Sequence, residues 1–404
     1  MVRQSPPRMP LEGVRVLDVG TLIAGPFGPT LLGDFGAEVI KVEQPGSGDA
    51  IRGGLNVHNG IALHWLSHGR NKLSVTLNLR VPEGQAILRE LIRVSDVLVE
   101  NFTPGTMDRW GFSWEEVHAL NPKLVMVRVS GFGQTGPYSR RAGYDRIALG
   151  FSGYLYTTGY PDRAPVRPSY ATADFSTGIF NALATLLALY WRDAQGGDEG
   201  QLIDLALYEP LFRITEDTVP AYDKLGVVRE RTGNRNPGFS PADNFQTSDG
   251  RWLMIAAGGD GVFARLAAVM GQEDLLTDER YASGRQRAIN ADALCAEVQA
   301  WVGAHTYDEV IATLEEANVP AGGIYSVREI MEDPHYAARE DIAEVEHERT
   351  GPVKMPAVIP KLGTTPGAVR WAGPELGEHN DQIYRGLLGM EAGWLADLRE
   401  MGVI

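Results

Sequence analysis

Short apolar runs alternate with helical stretches through the first half of the chain, and this alternation restricts the fold more than any other feature. One intervening stretch opens at Pro82 and has its apolar side chains spaced for one helical face, at Ile87, Leu88, Leu91 and Ile92. Strands that alternate with helices in this way form a mostly parallel sheet with both faces covered. The sequence therefore predicts an α/β fold with a large Rossmann-like parallel sheet. Its strands are predicted at 14–19, 38–43, 73–79, 96–101, 124–129 and 201–207.

The region 221–330 has a different pattern, which indicates a second domain. It contains a hairpin-like run at 244–257, and helical stretches such as 291–302 follow it. Strands followed by helices, rather than alternating with them, are typical of an α+β unit. We therefore expect a smaller α+β domain at 221–330 and a large domain formed by 1–220 together with 331–404.

The composition restricts the partners. The 404-residue chain has 37 Lys and Arg against 52 Asp and Glu, a formal net charge of −15, and no block rich in Lys or Arg. Nucleic acid is not expected as a partner, because phosphate binding depends on clustered cations. The single cysteine, Cys295, excludes an intrachain disulfide framework and is expected in a helix core. No acidic third ligand accompanies His64 and His68 at a diagnostic spacing, so no metal site is expected.

The apolar segments do not indicate a membrane protein or a secreted protein. The N-terminal run MVRQSPPRMP is polar and proline-rich, without the apolar core of a signal peptide. The stretch 179–191 is apolar nearly all round, which predicts a fully buried helix. No apolar run is expected to be long enough to span a bilayer. We therefore expect a cytoplasmic protein that does not bind membranes.

Several motifs of common enzyme classes are missing from the sequence. After the first predicted strand, residues 20–26 are Gly-Thr-Leu-Ile-Ala-Gly-Pro rather than Gly-x-Gly-x-x-Gly. The chain has no phosphate-binding loop ending in Gly-Lys-Ser/Thr and no Gly-x-Ser-x-Gly nucleophile elbow. Hydride transfer, kinase-type transfer and serine hydrolysis are therefore not favoured.

Asp174 is the most informative single residue. It lies in the run 170–178, Tyr-Ala-Thr-Ala-Asp-Phe-Ser-Thr-Gly, just before the strongly apolar stretch. A carboxylate at the start of a helix is either a cap for the helix N-terminus or a reactive group. The residue type alone favours the cap, and the surrounding motifs favour the reactive group.

Motifs along nearly the whole chain resemble the class III CoA-transferase family, the superfamily of formyl-CoA transferases, carnitine CoA-transferases and α-methylacyl-CoA racemases. Each motif alone is weakly specific, and their order and spacing together are specific. The likeness is carried by residues 11–19, 24–26, 32–43, 45–49 with Arg52, 70–72, 99–102, 104–105, 131–137, 142–145, 174 with 177–178, 320–322 and 376–381.

The resemblance implies an architecture and a covalent mechanism. Members of the family form an intertwined dimer of two ring-like subunits that are linked like chain links, and a homodimer is expected here. CoA would lie in the large domain, near the partner's small domain. Asp174 aligns with the family nucleophile, so the expected intermediate is an aspartyl-CoA thioester. CoA and acyl-CoA would be substrates, and no tightly bound cofactor is expected.

The resemblance also implies which residues bind the coenzyme. Leu22, Ile23, Leu77 and Asn101 should line the CoA path, and Arg109 should approach the phosphates, a task that suits its fixed fork of donors. Formyl-CoA enzymes have a glutamine in place of Ile23 and an arginine in place of Gln44, which lies near the CoA. Both differences favour an acid larger than oxalate or formate.

Two arginines, Arg146 and Arg167, lie near the active-site segments and are candidates to bind a second carboxylate bidentately. The preferred substrates are therefore dicarboxylates such as succinate, malate, citramalate or glutarate.

Two other functions stay open at the level of sequence. Racemases of the superfamily move a proton at the α-carbon with a histidine where this chain has Tyr144. A tyrosine, with an ordinary pKa of about 10, is a poor base at neutral pH, so transfer is preferred, and Tyr144 is expected to contact the acyl group rather than to be a core residue. A non-catalytic CoA-binding subunit is the third possibility. The loop 233–238 is either a cover for the site or an ordinary connection, and it lacks the consecutive glycines of formyl-CoA enzymes.

Overall fold

The computed structural model describes residues Met9–Ile404. Its strands are β1 (Arg15–Asp18), β2 (Glu38–Glu43), β3 (Val57–His58), β4 (Ile61–Ala62), β5 (Lys72–Thr76), β6 (Val97–Glu100), β7 (Val125–Ser130), β8 (Leu202–Ala206), β9 (Ala242–Gln246), β10 (Trp252–Ala256), β11 (Ala321–Gly323), β12 (Ile342–Val345) and β13 (Val353–Pro356).

The α-helices follow the predicted alternation in the first half of the chain. They are α1 (Phe27–Asp34), α2 (Leu63–His68), α3 (Pro82–Arg93), α4 (Thr106–Arg109), α5 (Trp114–Leu120), α6 (Asp145–Phe151), α7 (Thr172–Ala194), α8 (Glu209–Arg213), α9 (Thr218–Leu225), α10 (Asp260–Met270), α11 (Gly284–Ile289), α12 (Ala291–Val302), α13 (Tyr307–Glu316), α14 (Val327–Glu332), α15 (Pro334–Ala338) and α16 (Ala392–Glu400). Short 3₁₀-helices occur at Ala50–Gly53 and Glu273–Leu276, and a π-helix at Gln382–Leu387.

The predicted parallel sheet is confirmed. Six strands pair in parallel in the order β5-β2-β1-β6-β7-β8. Leu17 in β1 lies opposite Ile40 of β2 on one side and Leu98 of β6 on the other, so the strand order changes direction at β1. In open α/β sheets, ligands bind beyond the carboxyl ends of the strands at such a point. We therefore expect a site at the segments that follow β1 and β6, which begin at Val19 and at Asn101.

The sheet is buried because helices and the C-terminal tail cover it. All six residues of β7 are buried, as are the apolar residues of α3 that the sequence pattern placed on one face. The tail joins this core through hydrogen bonds: the Tyr384 hydroxyl donates to the Thr76 carbonyl at 2.7 Å, and the Asn78 N–H donates to the Val403 carbonyl at 2.8 Å. The tail thus belongs to the same unit as the sheet.

The contacts within the chain group it into two compact units. The first comprises the chain up to Tyr154, Pro168–Asp217 and His335–Ile404, and the second comprises Leu155–Arg167 and Thr218–Pro334. The second unit contains the hairpin of β9 and β10, extended by β11, and its helices enclose a separate core that includes the buried Cys295. Residues 155–167 group with this unit, although the sequence pattern assigned them to the large domain.

Helix α7 differs from its prediction as a fully buried helix. Its inner face is buried and includes Thr177, Asn181 and Thr185. Its outer face is exposed and apolar. Sequence periodicity could not separate these faces, because apolar residues occur on both. The exposed apolar residues are Ile179, Leu183, Leu186, Leu187, Tyr190 and Trp191.

The expectation that no run is long enough to span a bilayer is wrong on length and composition. Among the described residues, the 23-residue helix α7 meets both criteria. This is weak evidence for a membrane, since core helices of soluble proteins meet them too. Its inner face also carries hydrogen-bonded polar groups, because Asn181 donates to the Gly25 carbonyl at 3.0 Å.

Candidate active site

Asp174 lies in the first turn of α7, but it does not cap the helix. The N-cap position is occupied by Ala171, and no side chain donates or accepts a capping hydrogen bond there. Within Met9–Ile404, no hydrogen-bond donor or cation is found next to the half-buried Asp174 carboxyl group. The cap hypothesis is therefore not supported, and the side chain is left for another role.

The surroundings of Asp174 favour its protonated form. Burial raises the pKa of its carboxyl group most, and the negative charge of Asp145 raises it further, to about 7. A carboxyl group with this pKa is half ionised near neutral pH. Carboxyl groups shifted in this way by burial and a like charge are concentrated at functional sites.

Asp145 is the first residue of α6, and its side chain reaches the start of α7, where Asp174 lies. The residue is buried, and its Oδ1 accepts a hydrogen bond from the Ala173 N–H at 2.9 Å. Because Ala173 directly precedes Asp174, the bond joins the first turns of α6 and α7. The sequence motif included Asp145 without revealing this bond.

An aromatic cluster borders the same turn. The ring of Phe175 packs against Phe27 at 4.9 Å and His68 at 5.2 Å between centroids. Gly178 makes room for Phe27, since a Cβ on this glycine would lie 2.7 Å from the Cβ of Phe27. Burial, with the charges of His64, Lys72 and Arg70, lowers the pKa of His68 to about 3. His68 is therefore a neutral ring at physiological pH, part of an apolar wall.

The loop between β1 and α1, residues 20–26, is held in place by buried charged side chains. The ammonium group of Lys41 donates to the Gly20 carbonyl, and Lys72 donates to the Pro26 carbonyl at 2.7 Å. The Asp49 carboxylate accepts from the N–H of Leu22 at 3.0 Å. This bond holds Leu22 in the left-handed region, at a φ of 63°, which is uncommon for a leucine.

The other end of the loop is held by the residue after β6. The Asn101 side chain accepts from the Thr21 N–H at 2.7 Å and donates to the Thr21 carbonyl at 2.9 Å. Asn101 was predicted to line the CoA path, and in the structure it fixes the loop at the edge of the pocket described next.

A pocket of about 550 Å³, including its open mouth, lies beyond the carboxyl ends of β1, β2, β5 and β6. It contains two predicted residues, Gln44 and Leu77, together with three that the sequence interpretation missed: Arg80, Phe102 and Trp110. Phe102 and Trp110 pack edge to face with centroids 5.3 Å apart. Aromatic rings beside an exposed arginine suit a ligand that has a flat base and phosphates.

A second, smaller cavity adjoins the first, because Lys41 and Asp49 line both. Leu22 and Ile23 line this cavity, as do Phe27 and His68 of the aromatic wall. The structure thus brings Leu22, Ile23, Gln44, Leu77 and Asn101 together around one loop. Phe27 and His68 connect this group to the turn of Asp174.

The remaining predicted residues lie on other elements. Arg109 ends α4, is exposed, and donates to the Thr106 hydroxyl at 2.9 Å; Trp110 beside it lines the large pocket. Tyr144 is the N-cap residue of α6 and is 71% exposed, which rules out a core role. Arg146 is exposed on α6. Arg167 belongs to the second unit.

Comparison with known proteins identifies the family. The model of "CoA-transferase family III" matches residues 11–380. The chain belongs to this family. The sequence-based identification of a class III CoA-transferase is therefore confirmed. In the described residues, no cluster of three or more His, Cys, Asp or Glu side chains is suited to hold a metal.

Several relatives of this family III enzyme have names that specify their acids. A succinyl-CoA–D-citramalate CoA-transferase of Chloroflexus aurantiacus is 45% identical over all of both chains. The β subunit of a succinyl-CoA–L-malate CoA-transferase from the same species is 44% identical, over 98% of each chain. The crystal structure of a CAIB/BAIF family protein from Brucella suis is 34% identical and has a TM-score of 0.85. It covers 94% of this chain and 100% of its own.

The sequence interpretation gave no role to Arg80 or to Asp145, although the motif 142–145 includes Asp145. The position of each side chain depends on which residues meet in space. Arg80 follows β5 and is exposed at the pocket. A cation shortly after a strand that ends at the predicted site was the signal that could have found it.

Proposed function

We propose that this cytoplasmic enzyme moves CoA from an acyl-CoA thioester to a free dicarboxylate through a covalent aspartyl-CoA intermediate on Asp174. The observation that supports Asp174 is its position: a half-buried carboxyl group, without a cation, in the first turn of a helix beside an aromatic wall. A structural carboxylate in such a place would be expected to have a cation or hydrogen-bond donors.

The reaction divides one difficult exchange into steps of similar energy. A carboxylate oxygen of Asp174 attacks the thioester carbonyl and expels the CoA thiolate, leaving a mixed anhydride. The thiolate then attacks the Asp174 carbonyl carbon, which gives the aspartyl-CoA thioester and releases the donor acid. The acceptor carboxylate attacks this thioester, and the same steps in reverse give the new acyl-CoA and free Asp174. No net proton or electron is consumed.

The geometry supports this use of Asp174 in three ways. A carboxylate held without a partner loses no ion pair or hydrogen bond when it attacks. The wall of Phe27, His68 and Phe175 reduces the access of water, which would hydrolyse an anhydride or a thioester. The N-terminal turn of α7 also favours the negative charge of the ionised nucleophile.

For CoA we propose the large pocket at the carboxyl end of the sheet. Its aromatic pair, Phe102 and Trp110, would pack against the adenine, and Arg80 and Arg109 would approach the phosphates. Gln44 and Leu77 would line the path, and Leu22 and Ile23 would lie nearer the thioester. Fixing the loop 20–26 with buried side chains would keep this path in one conformation before the substrate binds.

For the acids we propose succinate as a donor and a hydroxy-dicarboxylate such as malate or citramalate as an acceptor, with glutarate as a further candidate. Relatives that are 45% and 44% identical are named for succinyl-CoA with D-citramalate and with L-malate. Ile23 makes the smaller cavity apolar, and the exposed Tyr144 could contact the acyl group. Arg146 or Arg167 would bind the second carboxylate.

We further propose an interlocked homodimer, with 221–330 as the core of the small domain. The exposed apolar face of α7 is the support on the side of this chain, since a soluble enzyme seldom leaves six large apolar side chains of one helix in water. Light scattering should give twice the monomer mass. Subunits of a linked dimer should also fail to exchange between tagged and untagged protein until they unfold.

The decisive experiment incubates the enzyme with succinyl-CoA and a panel of free acids and identifies new CoA esters by mass spectrometry. Hydroxylamine added during turnover should convert Asp174 alone to its hydroxamate, detected by peptide mapping. Formation of malyl-CoA or citramalyl-CoA without any Asp174 adduct, and normal turnover by Asp174→Ala, would overturn the covalent role. Deuterium exchange at the α-carbon without transfer would instead indicate a racemase.

A further inference from the structure

The neighbour of the nucleophile has a role of its own, which rests on the proposed function. We propose that Asp145 is a positioning residue for the transfer reaction: its carboxylate fixes the first turn of α7, and its negative charge sets how strongly Asp174 attacks. No relative's name or family description assigns a role to this residue.

The first step of the argument is the contact between the two helix starts. Asp145 Oδ1 lies 2.9 Å from the Ala173 nitrogen. With ordinary bond lengths, this places that oxygen within about 8 Å of the Asp174 Cα. The N–H of Ala173 is one of the groups at a helix start that the helix itself leaves without an acceptor. Asp145 supplies this acceptor from another helix and so fixes where the turn of Asp174 lies.

The second step is the charge. Asp145 is 7% exposed, so water screens its charge poorly at the distance of Asp174. A nearby negative charge opposes ionisation of Asp174, and Asp145 is the charged group that raises its pKa, after the larger effect of burial. A more basic carboxylate is also a stronger nucleophile, as the relation between basicity and rate for thiolates illustrates.

The other charged groups around α7 do not give the same effect. His68, which touches Phe175, has a pKa lowered to about 3 and is neutral. The pKa of His64, stacked on His68, is also lowered, by burial. Within the described chain, no other side chain shifts the pKa of Asp174. The remaining charged residues on elements that pack against α7 are Asp34 on α1, Arg146 on α6, Arg128 on β7, Asp204 on β8, and Glu209 and Arg213 on α8.

The consequence is a particular pH dependence. Only the carboxylate form of Asp174 attacks, so kcat/KM of the first half-reaction should rise with pH through a midpoint near 7 and level off above it. Asp145→Asn keeps an oxygen that can accept from Ala173 N–H but removes the charge. Its midpoint should move to lower pH by on the order of one unit.

The experiment measures this profile for Asp145→Asn, Asp145→Ala and the wild type with the full-length enzyme and succinyl-CoA. With a one-unit shift, the rate of Asp145→Asn relative to the wild type should be about fivefold higher at pH 6 than at pH 9, since the carboxylate fraction at pH 6 rises from about one in eleven to one in two. At pH values above the midpoint, where the rate no longer rises, Asp145→Asn should be about threefold slower than the wild type. Asp145→Ala also loses the acceptor and should be slower still at every pH.

A matched control is Asp96→Asn. Asp96 is another aspartate whose carboxylate accepts a backbone N–H, from Arg15 at 2.9 Å, but it directly precedes β6, at the amino ends of the strands, and its ion pair with Arg192 lies in the last turn of α7, far from Asp174 in the first turn. Its variant should keep the wild-type midpoint.

Glu100 is a second carboxyl group that could titrate in this range, because burial outweighs its ion pair with Arg128 and raises its pKa to about 7. If ionisation of Glu100 caused the rise of kcat/KM with pH, the midpoint of that rise would be the same in Asp145→Asn as in the wild type.

A second measurement does not depend on turnover. Diazo reagents esterify protonated carboxyl groups, so the rate at which Asp174 is esterified, followed by peptide mapping, reports its ionisation. This rate should fall with pH around 7 in the wild type and at a lower pH in Asp145→Asn. An unchanged midpoint in both measurements, with rates reduced equally at all pH values, would leave Asp145 a structural residue and overturn the proposal. If Asp174→Ala still turned over normally, the proposed function itself would fail, which is a separate outcome.

Discussion

Carboxyl groups at two places in the first unit have different neighbours. At the carboxyl end of the sheet, Glu43 is bound by Arg52 at 2.7 Å, and Asp49 pairs with Lys41 at 3.0 Å. Burial acts to raise the pKa of Glu43 and of Asp49, but these cations and hydrogen bonds outweigh it, and both pKa values lie below their usual range. At the start of α7, Asp174 has no such cation, and its pKa is raised to about 7.

The difference shows what each set does. Asp49 holds the loop 20–26, and Glu43 in turn accepts the Asp49 N–H at 3.0 Å. These paired carboxylates have their lone pairs occupied, so they are poor nucleophiles and good anchors. A carboxyl group without a cation costs stability when it ionises, and a fold tolerates such a cost mainly where function requires it. The neighbours of similar side chains in one unit thus separate the anchors from the proposed nucleophile.

The largest expected effect is on turnover. Asp174→Asn should lower the rate of CoA transfer by at least about a thousandfold, because the covalent carrier is lost. Steady-state assays with succinyl-CoA would measure this, and freshly prepared protein is needed because deamidation of the asparagine would restore the aspartate. Residual activity within about tenfold of the wild type would contradict the assignment.

The same variant should become more stable at alkaline pH, which no anchor variant should do. A pKa raised from 3.8 to about 7 means that the folded state binds the proton more tightly than the unfolded state. Stability from this group is therefore present below about pH 4 and is lost as the pH rises to 7. The loss is up to about 4 kcal/mol, from three units at 1.36 kcal/mol each. Urea unfolding of wild type and Asp174→Asn at pH 4, where the gain should be small, and at pH 8, where it should be nearly complete, would show whether the gain grows with pH.

Removing an anchor should have the opposite result. Asp49→Ala leaves the Lys41 ammonium group buried without the closer of its two carboxylates and frees the N–H of Leu22, so it should lower the free energy of unfolding by about 3 kcal/mol at pH 7. The folded pKa of Asp49 is depressed, so this contribution is present above about pH 4 and disappears as the pH falls through the folded pKa. Unfolding curves of variant and wild type should therefore converge at low pH, and a constant difference would argue against the ion pair.

A smaller effect is expected where α7 packs on α1. A methyl group at Gly178 would lie 2.7 Å from the Cβ of Phe27, so Gly178→Ala should displace the aromatic wall and lower stability by about 1–3 kcal/mol. Turnover should fall as well, because the wall borders Asp174. Gly393→Ala in α16 is the control: nothing lies within 4 Å of its added methyl group, and it should be neutral or slightly stabilising.

The smallest effect on stability concerns the pocket cation. Arg80 is exposed, so Arg80→Met should leave the unfolding free energy within about 0.5 kcal/mol of the wild type. If Arg80 contacts a CoA phosphate, KM for succinyl-CoA should rise by about five- to tenfold with little change in kcat. An unchanged KM, measured alongside Arg109→Met, would remove Arg80 from the CoA path.

Much of this protein could be predicted from its sequence because the signals are local or repeated. Alternation of apolar runs with amphipathic stretches predicted the parallel sheet, and the order and spacing of motifs along nearly the whole chain predicted the family. The limits of β2 and the hairpin of β9 and β10 agree closely with the predicted ranges. Each of these features depends on the periodicity of a strand or a helix, which a single segment displays.

The sequence by itself determined the fold class, the family and the identity of the candidate nucleophile. Tertiary structure decided the rest: that one face of α7 is left exposed, that Arg80 and Trp110 meet at one pocket, and that Asp145 reaches the turn of Asp174 while cations reach Asp49 and Glu43. These outcomes depend on which side chains meet across long separations in the chain. Burial and neighbouring charge, rather than residue type, set the chemistry of a carboxyl group.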